Sequence, residues 1–166
     1  MTVAPSFTGR ENERFSVEPL GDGWVSWNIV DRSRFNPVLE PLQVRKEPPV
    51  GGSMLRGRLR MIPELRHSNL GDMVHGAVIL AFIDVAIFAV PAQHGLLGDG
   101  FSVTLDLSTQ FVGGGRLNEP LDAVTEVVRT TGRLIFVRGL VVQGADDKHI
   151  VASFNATVRK PPPAKG

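Results

Sequence analysis

The sequence predicts an α+β domain in which an antiparallel sheet wraps around one long central helix. Residues 73–92 are almost wholly apolar, which is typical of a helix buried on every side. Residues 102–159 contain four segments with strand character, separated by turn residues. Residues 41–62 add two strand segments ahead of the helix. One helix between two sets of strands indicates the α+β class.

The chain composition is that of one soluble domain. Its 166 residues are enough to bury a core without covalent staples. The net charge is only +1, from 18 Lys and Arg against 17 Asp and Glu. A net charge this small creates no electrostatic field that would attract nucleic acid or an anionic membrane surface, so we expect neither as a partner.

Cysteine is absent, which excludes disulfide scaffolds, thiol nucleophiles and thiolate metal sites. The first 20 residues are polar, with Arg10, Glu11, Glu13 and Arg14 where a secretion signal needs an apolar run. We therefore expect a cytoplasmic protein.

Three regions are expected along the chain. Residues 1–40 form an N-terminal extension, residues 41–160 the main domain, and residues 161–166 a disordered proline-containing tail. Within the main domain, residues 41–46 predict a short strand, and the turn cluster at 48–52 leads into an alternating segment at 54–62. These two segments predict a hairpin.

The apolar segment 73–92 is long enough to cross a membrane. Asp84 at its centre would cost roughly 2.5–3.5 kcal/mol on insertion. A buried central helix, ending near Pro91 to Gly95, is the prediction.

The second half of the chain predicts four antiparallel strands at 102–112, 121–130, 133–143 and 149–159. Thr131-Gly132 predicts a tight hairpin turn between the second and third. The first strand alternates strictly, which predicts Val103, Leu105, Leu107 and Phe111 on one face and Thr104 on the other.

Asp84 is the unusual residue of the helix, because a carboxylate among apolar side chains is costly to bury without compensation. One interpretation is a structural carboxylate satisfied by a backbone group or an arginine. The other is a group used in acid–base or nucleophilic chemistry, for which carboxylates in apolar surroundings are often used.

The segment from Asn69 to Ala77 places a loop immediately before the helix. The first amides of a helix lack intrahelical acceptors and point toward any anion placed there. A thioester carbonyl that becomes an oxyanion would be stabilised at such a position.

Asn69, His75-Gly76, Asp84 and Thr104 together resemble the signature of PaaI-like (phenylacetate-pathway type) hotdog-fold acyl-CoA thioesterases. In this pattern His-Gly follows the Asn by six residues, the Asp follows the His by nine, and a Ser or Thr opens the next strand. The resemblance extends over about residues 41–159, and its specific positions lie between Asn69 and Thr104.

The resemblance implies a hotdog fold and hydrolysis of an acyl-CoA to a free acid and CoA. It implies that Asp84 acts as general base or nucleophile and that the Gly76 amide polarises the thioester carbonyl. It implies that Asn69 and Thr104 help to position the substrate and the attacking water. No cofactor is implied beyond the CoA thioester substrate, and a homodimer or a dimer of dimers is expected.

Three further residues are candidates for substrate binding: His75, Ala77 and Arg133. His75 is expected mainly to brace the loop. Ala77 departs from the family pattern, which commonly has His-Gly-Gly, and adds a methyl group near the path of the acyl or pantetheine chain. Arg133 is one of several arginines on the late strands that could meet the CoA phosphates.

Gly76 and Asp84 are eight residues apart, or about 12 Å along one helix. A reacting carbonyl needs its oxyanion donor and its base or nucleophile each within about 3 Å. One helix cannot easily supply both, so we expect a site shared across a dimer interface.

Two alternatives remain open: a hydratase or dehydratase that pairs His75 with Asp84, and a non-catalytic acyl-CoA binder, for which Ala77 is the only indication. A metal site is not expected, because no histidine pair with metal-ligand spacing is supported by carboxylates.

Overall fold

A computed structural model describes residues 14–98 and 100–162, which form one α-helix, three short 3-10 helices and ten strands. The helix α1 spans Gly76–Gln93. The strands are β1 (Phe15–Ser16), β2 (Pro19–Gly21), β3 (Trp24–Ser26), β4 (Asn28–Ile29), β5 (Gln43–Glu47), β6 (Leu55–Met61), β7 (Val103–Phe111), β8 (Leu121–Thr130), β9 (Leu134–Gln143) and β10 (His149–Arg159).

Eight of the strands form one antiparallel sheet in the order β2-β3-β5-β6-β8-β9-β10-β7, and β1 pairs with β4 in a small separate sheet. The predicted hairpin of residues 41–62 is present as β5 and β6, with Val44 opposite Leu59. The four late strands match their predicted extents to within about two residues. The predicted α+β architecture, a sheet wrapped on one helix, is confirmed.

The described part of the N-terminal extension contributes to this sheet. Strand β3 pairs with β5, with Val25 opposite Val44, and β2 pairs with β3 at the sheet edge. Residues 1–13, residue 99 and residues 163–166 lie outside the described residues. Most of the predicted disordered tail, residues 161–166, therefore falls outside them, and only Pro161 and Pro162 of that tail are described.

Helix α1 forms the centre of the core, where Phe82, Ile83, Ala86 and Ile87 are fully buried against the sheet. The helix is buried on most sides but not on all, because Leu80 is 39% exposed and Ala77 is also exposed. By length and composition alone α1 could span a membrane, but 56% of its residues are buried inside this fold, as in the core helix of a soluble protein.

Strand β7 contains a bulge that the strict alternation of its sequence did not predict. Thr104 lies opposite Val158, whereas Asp106 lies opposite Thr157, so Leu105 is an extra residue on β7. Thr104 and Leu107 therefore both face the helix, like their buried neighbours Val158 and Ala156. The prediction that Thr104 lies on the face opposite Leu107 was wrong for this reason.

Strand β7 is also an edge of the sheet. It pairs with β10 along one side, and along the other side it has no strand partner within residues 14–98 and 100–162. An unpaired edge presents free N–H and C=O groups to another chain.

Candidate active site

The centre of the candidate site is the pair formed by Asp84 and Thr104. Asp84 is half-buried in the middle of α1, between the buried side chains Ile83 and Val85. The Thr104 hydroxyl donates a hydrogen bond of 2.7 Å to Asp84 Oδ1. This bond satisfies one oxygen of a carboxylate in apolar surroundings, and it brings together two of the predicted site residues.

The first turn of α1 leaves a single amide without an acceptor among the described residues. The Ala77 N–H is bound by His75 Nδ1 at 3.0 Å. The N–H groups of Val78 and Ile79 both reach the His75 carbonyl, at 2.9 and 3.1 Å. Of the amides that this helix start leaves open, only that of Gly76 remains for an external acceptor.

Gly76 lies beside the ring of Phe111 at the far end of β7. A Cβ built on Gly76 would lie 3.5 Å from the Phe111 ring, an ordinary van der Waals contact. The two ends of β7 thus carry the two halves of the candidate site: Phe111 meets the Gly76 end of the helix, and Thr104 meets Asp84. Sequence reasoning did not identify Phe111 as a site neighbour, because its contact with Gly76 depends on how the helix crosses the sheet.

Asn69 is engaged in the loop that precedes the helix. Its Oδ1 accepts hydrogen bonds from the Gly71 N–H at 2.8 Å and the Met73 N–H at 3.3 Å. Its backbone N–H donates to the Met73 carbonyl at 2.8 Å. The oxygen of Asn69 therefore shapes the loop, while its side-chain amide nitrogen has no acceptor among the described residues.

His75 is the N-cap of α1, because its Nδ1 accepts a hydrogen bond from the Ala77 N–H. Ala77 is exposed on the first turn of the helix. Arg133 is exposed in the turn between β8 and β9. That turn is at the sheet end where β7 begins, since Leu134 and Val103 both lie opposite Arg159. Within one chain, Arg133 and Gly76 are therefore at opposite ends of β7.

A charged cluster that sequence reasoning did not single out lies on the other face of the sheet. The Arg58 guanidinium, 8% exposed, contacts Glu47 at 2.6 Å, Asp122 at 2.8 Å and Asp147 at 2.6 Å. Hydrogen bonding to Asp147 raises the pKa of Arg58, although burial acts in the opposite direction. The alternation of arginine with apolar residues in β6 was its sequence signal.

The cluster is separate from the candidate site, because Leu59 and Met61 point from β6 into the core and Arg58 points away from it. Its three carboxylates neutralise the buried arginine, which indicates a structural role. Within residues 14–98 and 100–162 no group of three or more His, Asp or Glu side chains is arranged to hold a metal ion.

Residues 71–149 match the family model of the thioesterase superfamily. The match includes Gly76, Asp84 and Thr104, whereas Asn69 lies just outside it. No curated protein sequence matches the chain significantly.

Solved structures with the same fold include zebra fish thioesterase superfamily member 2, which is 19% identical, with a TM-score of 0.61 over 79% of this chain and 89% of that one. The conserved protein PA5202 from Pseudomonas aeruginosa is 20% identical, with a TM-score of 0.58 over 76% and 92% of the two chains. The PaaI protein from the E. coli phenylacetic acid degradation operon is 16% identical, with a TM-score of 0.56 over 70% and 82%. The likeness establishes the hotdog fold.

Proposed function

We propose that this chain, a hotdog-fold protein whose residues 71–149 match the thioesterase superfamily, hydrolyses acyl-CoA thioesters to a free acid and CoA. One observation carries the proposal. The fold combines a half-buried carboxylate, Asp84, held by the Thr104 hydroxyl, with a helix-start amide at Gly76 that has no acceptor among the described residues. Acyl transfer needs both a base or nucleophile and an oxyanion donor.

The proposed reaction forms a C–O bond and breaks the C–S bond of the thioester. Asp84 either accepts a proton from the attacking water or attacks the carbonyl carbon itself, giving an anhydride that water then opens. The carbonyl oxygen gains negative charge next to the Gly76 N–H, and the sulfur leaves with the electron pair of the C–S bond and is protonated as CoA. The Thr104 hydroxyl keeps the Asp84 carboxylate in one orientation. The second oxygen of that carboxylate faces the substrate.

The two groups must come from different subunits, because eight helical residues separate Gly76 from Asp84 by about 12 Å. The free edge of β7 provides a physical route to such a dimer. A symmetric pair of β7 edges is antiparallel. Centred on Ser108, and with the extra residue Leu105 skipped, it places Thr104 next to Phe111 of the partner subunit. Because Asp84 is bound to Thr104 and Gly76 lies beside Phe111, this pairing brings Asp84 toward the partner subunit's Gly76.

The exposed residues of α1 support the same arrangement. Ala77 and Leu80 are exposed and Asp84 is half-exposed, and their three- and four-residue spacing places them on one stripe of the helix. A second subunit would cover this stripe. In the dimer, Ala77 and the side-chain nitrogen of Asn69 would border the substrate, and Arg133 would lie toward the partner's helix start, where it could meet a CoA phosphate.

The direct test is thiol release from a panel of acyl-CoA esters by the wild-type protein and the Asp84→Asn variant. We expect wild-type turnover and a loss of about 10²–10⁴-fold in Asp84→Asn, the usual contribution of a positioned acid or base. Asp146→Asn, at an exposed turn, is the matched control and should retain wild-type activity.

Equal activity in wild type and Asp84→Asn would overturn the role of Asp84. Hydration of crotonyl-CoA without thiol release would instead identify a hydratase. Saturable binding of CoA esters without turnover would identify a non-catalytic binder.

A further inference from the structure

A half-open cavity of about 560 Å³ lies between the N-terminal extension, the C-terminal half of α1 and the segment that leads into β7. We propose that this cavity receives the acyl group of the substrate, so that the N-terminal extension determines acyl selectivity. The inference rests on the proposed thioesterase function and adds to it the part of the chain that recognises the acyl group.

The walls of the cavity are mainly apolar and aromatic. They include Phe15, Trp27, Phe88, Phe101 and Leu97. The rings of Phe15 and Trp27 stack with centroids 4.6 Å apart, which makes one wall rigid. A concave apolar site of this volume is within the range of small-molecule binding sites.

The cavity begins one helical turn from the proposed catalytic carboxylate. Phe88 and Ala92 line the cavity and follow Asp84 by four and eight residues, so all three lie on one face of α1. Phe88 is about 6 Å further along the helix axis than Asp84. On the strand side, Ser102 lines the cavity and precedes Thr104 by two residues, or about 7 Å of extended chain.

The cavity lies on the opposite side of Asp84 from the helix start. Gly76 precedes Asp84 on α1, whereas Phe88 and Ala92 follow it. In the proposed dimer the partner subunit's Gly76 holds the thioester oxygen close to Asp84. The cavity then begins about one helical turn from that carbonyl, so the acyl group that extends from it can enter the cavity. The CoA part extends along the subunit interface.

Five polar side chains line the cavity, and only Asp31 and Arg34 among them form an ion pair with each other. Asp31 and Arg34 form an ion pair at 2.8 Å, so this part of the rim adds no net charge. The Arg14 guanidinium lies 4.3 Å from the centroid of the Phe101 ring, so it covers an aromatic wall. The buried Ser102 hydroxyl has no hydrogen-bond partner among the described residues, so it can turn toward a polar atom of a ligand without breaking a bond. The mainly apolar walls favour an apolar acyl group larger than acetyl, and Arg14 gives the rim one positive charge.

The N-terminal walls of this cavity lie outside residues 71–149, the segment that matches the family model. Phe15, Trp27 and Val30, to which the proposal assigns selectivity, are therefore not part of the segment that carries the family match.

The test fills the cavity from its exposed rim. Val30 lines the cavity and is 55% exposed, so Val30→Trp adds volume without disturbing the core. Val50→Trp, at a turn where Val50 is 47% exposed, is the matched control. We expect the ratio of kcat/KM for octanoyl-CoA to that for acetyl-CoA to fall at least about tenfold in Val30→Trp and to stay at the wild-type value in Val50→Trp.

A second measurement does not depend on hydrolysis. Binding of octanoate and of benzoate to the Asp84→Asn protein is measured by calorimetry with and without Val30→Trp. We expect binding of at least one acid, weakened about fivefold or more by Val30→Trp. If Val30→Trp weakens binding of the acid but no ester releases thiol, the proposed thioesterase function is overturned and the proposed acyl site stands. If thiol is released but Val30→Trp changes neither acyl selectivity nor acid binding, the proposed acyl site is overturned. The absence of any acid binding would overturn it as well.

Discussion

The Thr104 hydroxyl donates a 2.7 Å hydrogen bond to Asp84 Oδ1, and an extra residue in strand β7 makes this bond possible. Without the bulge at Leu105, Thr104 would lie on the face of the sheet that points away from α1. With it, Thr104 and Leu107 both face the helix, so one strand supplies a polar partner to Asp84 and an apolar side chain to the core. The bulge is thus a part of the candidate site.

Replacement of Thr104 by Val should lower kcat by about 10- to 100-fold, because a hydrogen bond to a charged group contributes about 1.5–3 kcal/mol. Thr104→Ser keeps the hydroxyl and should stay within about threefold of wild type. Thiol release measures both, and circular dichroism checks that both variants are folded. Equal rates for Thr104→Val and Thr104→Ser would show that the hydroxyl is not needed.

Gly76→Pro should remove the proposed oxyanion donor with little effect on the fold. Proline is favoured at the first position of a helix, and His75 already has the extended backbone, φ −63° and ψ 138°, that a residue before proline adopts. We expect kcat to fall about 10²–10³-fold. Gly76→Ala retains the N–H, and its Cβ would meet the Phe111 ring at an ordinary 3.5 Å, so it is the matched control.

A Gly76→Pro protein that is folded and as active as Gly76→Ala would exclude the Gly76 amide as the donor. Thermal unfolding of the two variants, followed by circular dichroism, separates a lost donor from a lost fold.

The sequence predicted the elements that depend on periodicity alone. The apolar run of α1, its end near Pro91 and the hairpins β5–β6 and β8–β9 all follow from patterns that are local in the sequence. That Asp84 needs a hydrogen-bonding partner was also foreseeable, but the sequence suggested a backbone group or an arginine, whereas the partner is the Thr104 hydroxyl.

The bulge in β7 could not be predicted, because the segment alternates polar and apolar residues without interruption. Only pairing with β10 shows which residue is extra. The cavity behind Phe88 was equally hidden. Its walls come from three segments far apart in sequence, and nothing local in Phe15 or Trp27 indicates that they meet α1.

Arg58→Met should lower the free energy of unfolding by about 3 kcal/mol, the low end for breaking a buried ion pair. The low end applies because two of the carboxylates are still paired in the variant: Asp122 still contacts Arg60, and Glu47 still contacts Arg45. Urea unfolding measures the change. Arg34→Met, which removes an exposed ion pair, should cost about 1 kcal/mol or less. A loss for Arg58→Met as small as that for Arg34→Met would contradict a structural role of the cluster.

His94 should make stability depend on pH in mildly acidic solution. Burial lowers the pKa of His94 below its usual 6.5, and its Nε2 lies 3.0 Å from the Arg56 carbonyl. A histidine with a lowered folded pKa binds its proton more readily in the unfolded chain. Its stabilising contribution is therefore complete above pH 6.5 and is lost as the pH falls through the folded pKa.

This group alone should lower the free energy of unfolding by at most about 1.4 kcal/mol per pH unit in that range. His94→Gln keeps an N–H for the Arg56 carbonyl and cannot titrate, so urea unfolding between pH 7 and pH 5 should show a smaller slope than in wild type. His149→Gln, which likewise keeps an N–H for a backbone carbonyl, that of Gly114, is the matched control. An unchanged slope in His94→Gln would exclude this residue as the cause.

Mixing two inactive variants should restore activity if the site is shared between subunits. In a dimer of one Asp84→Asn chain and one Gly76→Pro chain, one of the two sites contains an intact Asp84 and an intact Gly76, while the other lacks both. Co-refolding of equal amounts should therefore give about a quarter of the wild-type activity per subunit. The control replaces the Gly76→Pro chain by one that carries both substitutions, and it should stay inactive. If each site used Asp84 and Gly76 from one chain, no mixture could contain an intact site, so a mixture as inactive as its components would refute the shared site.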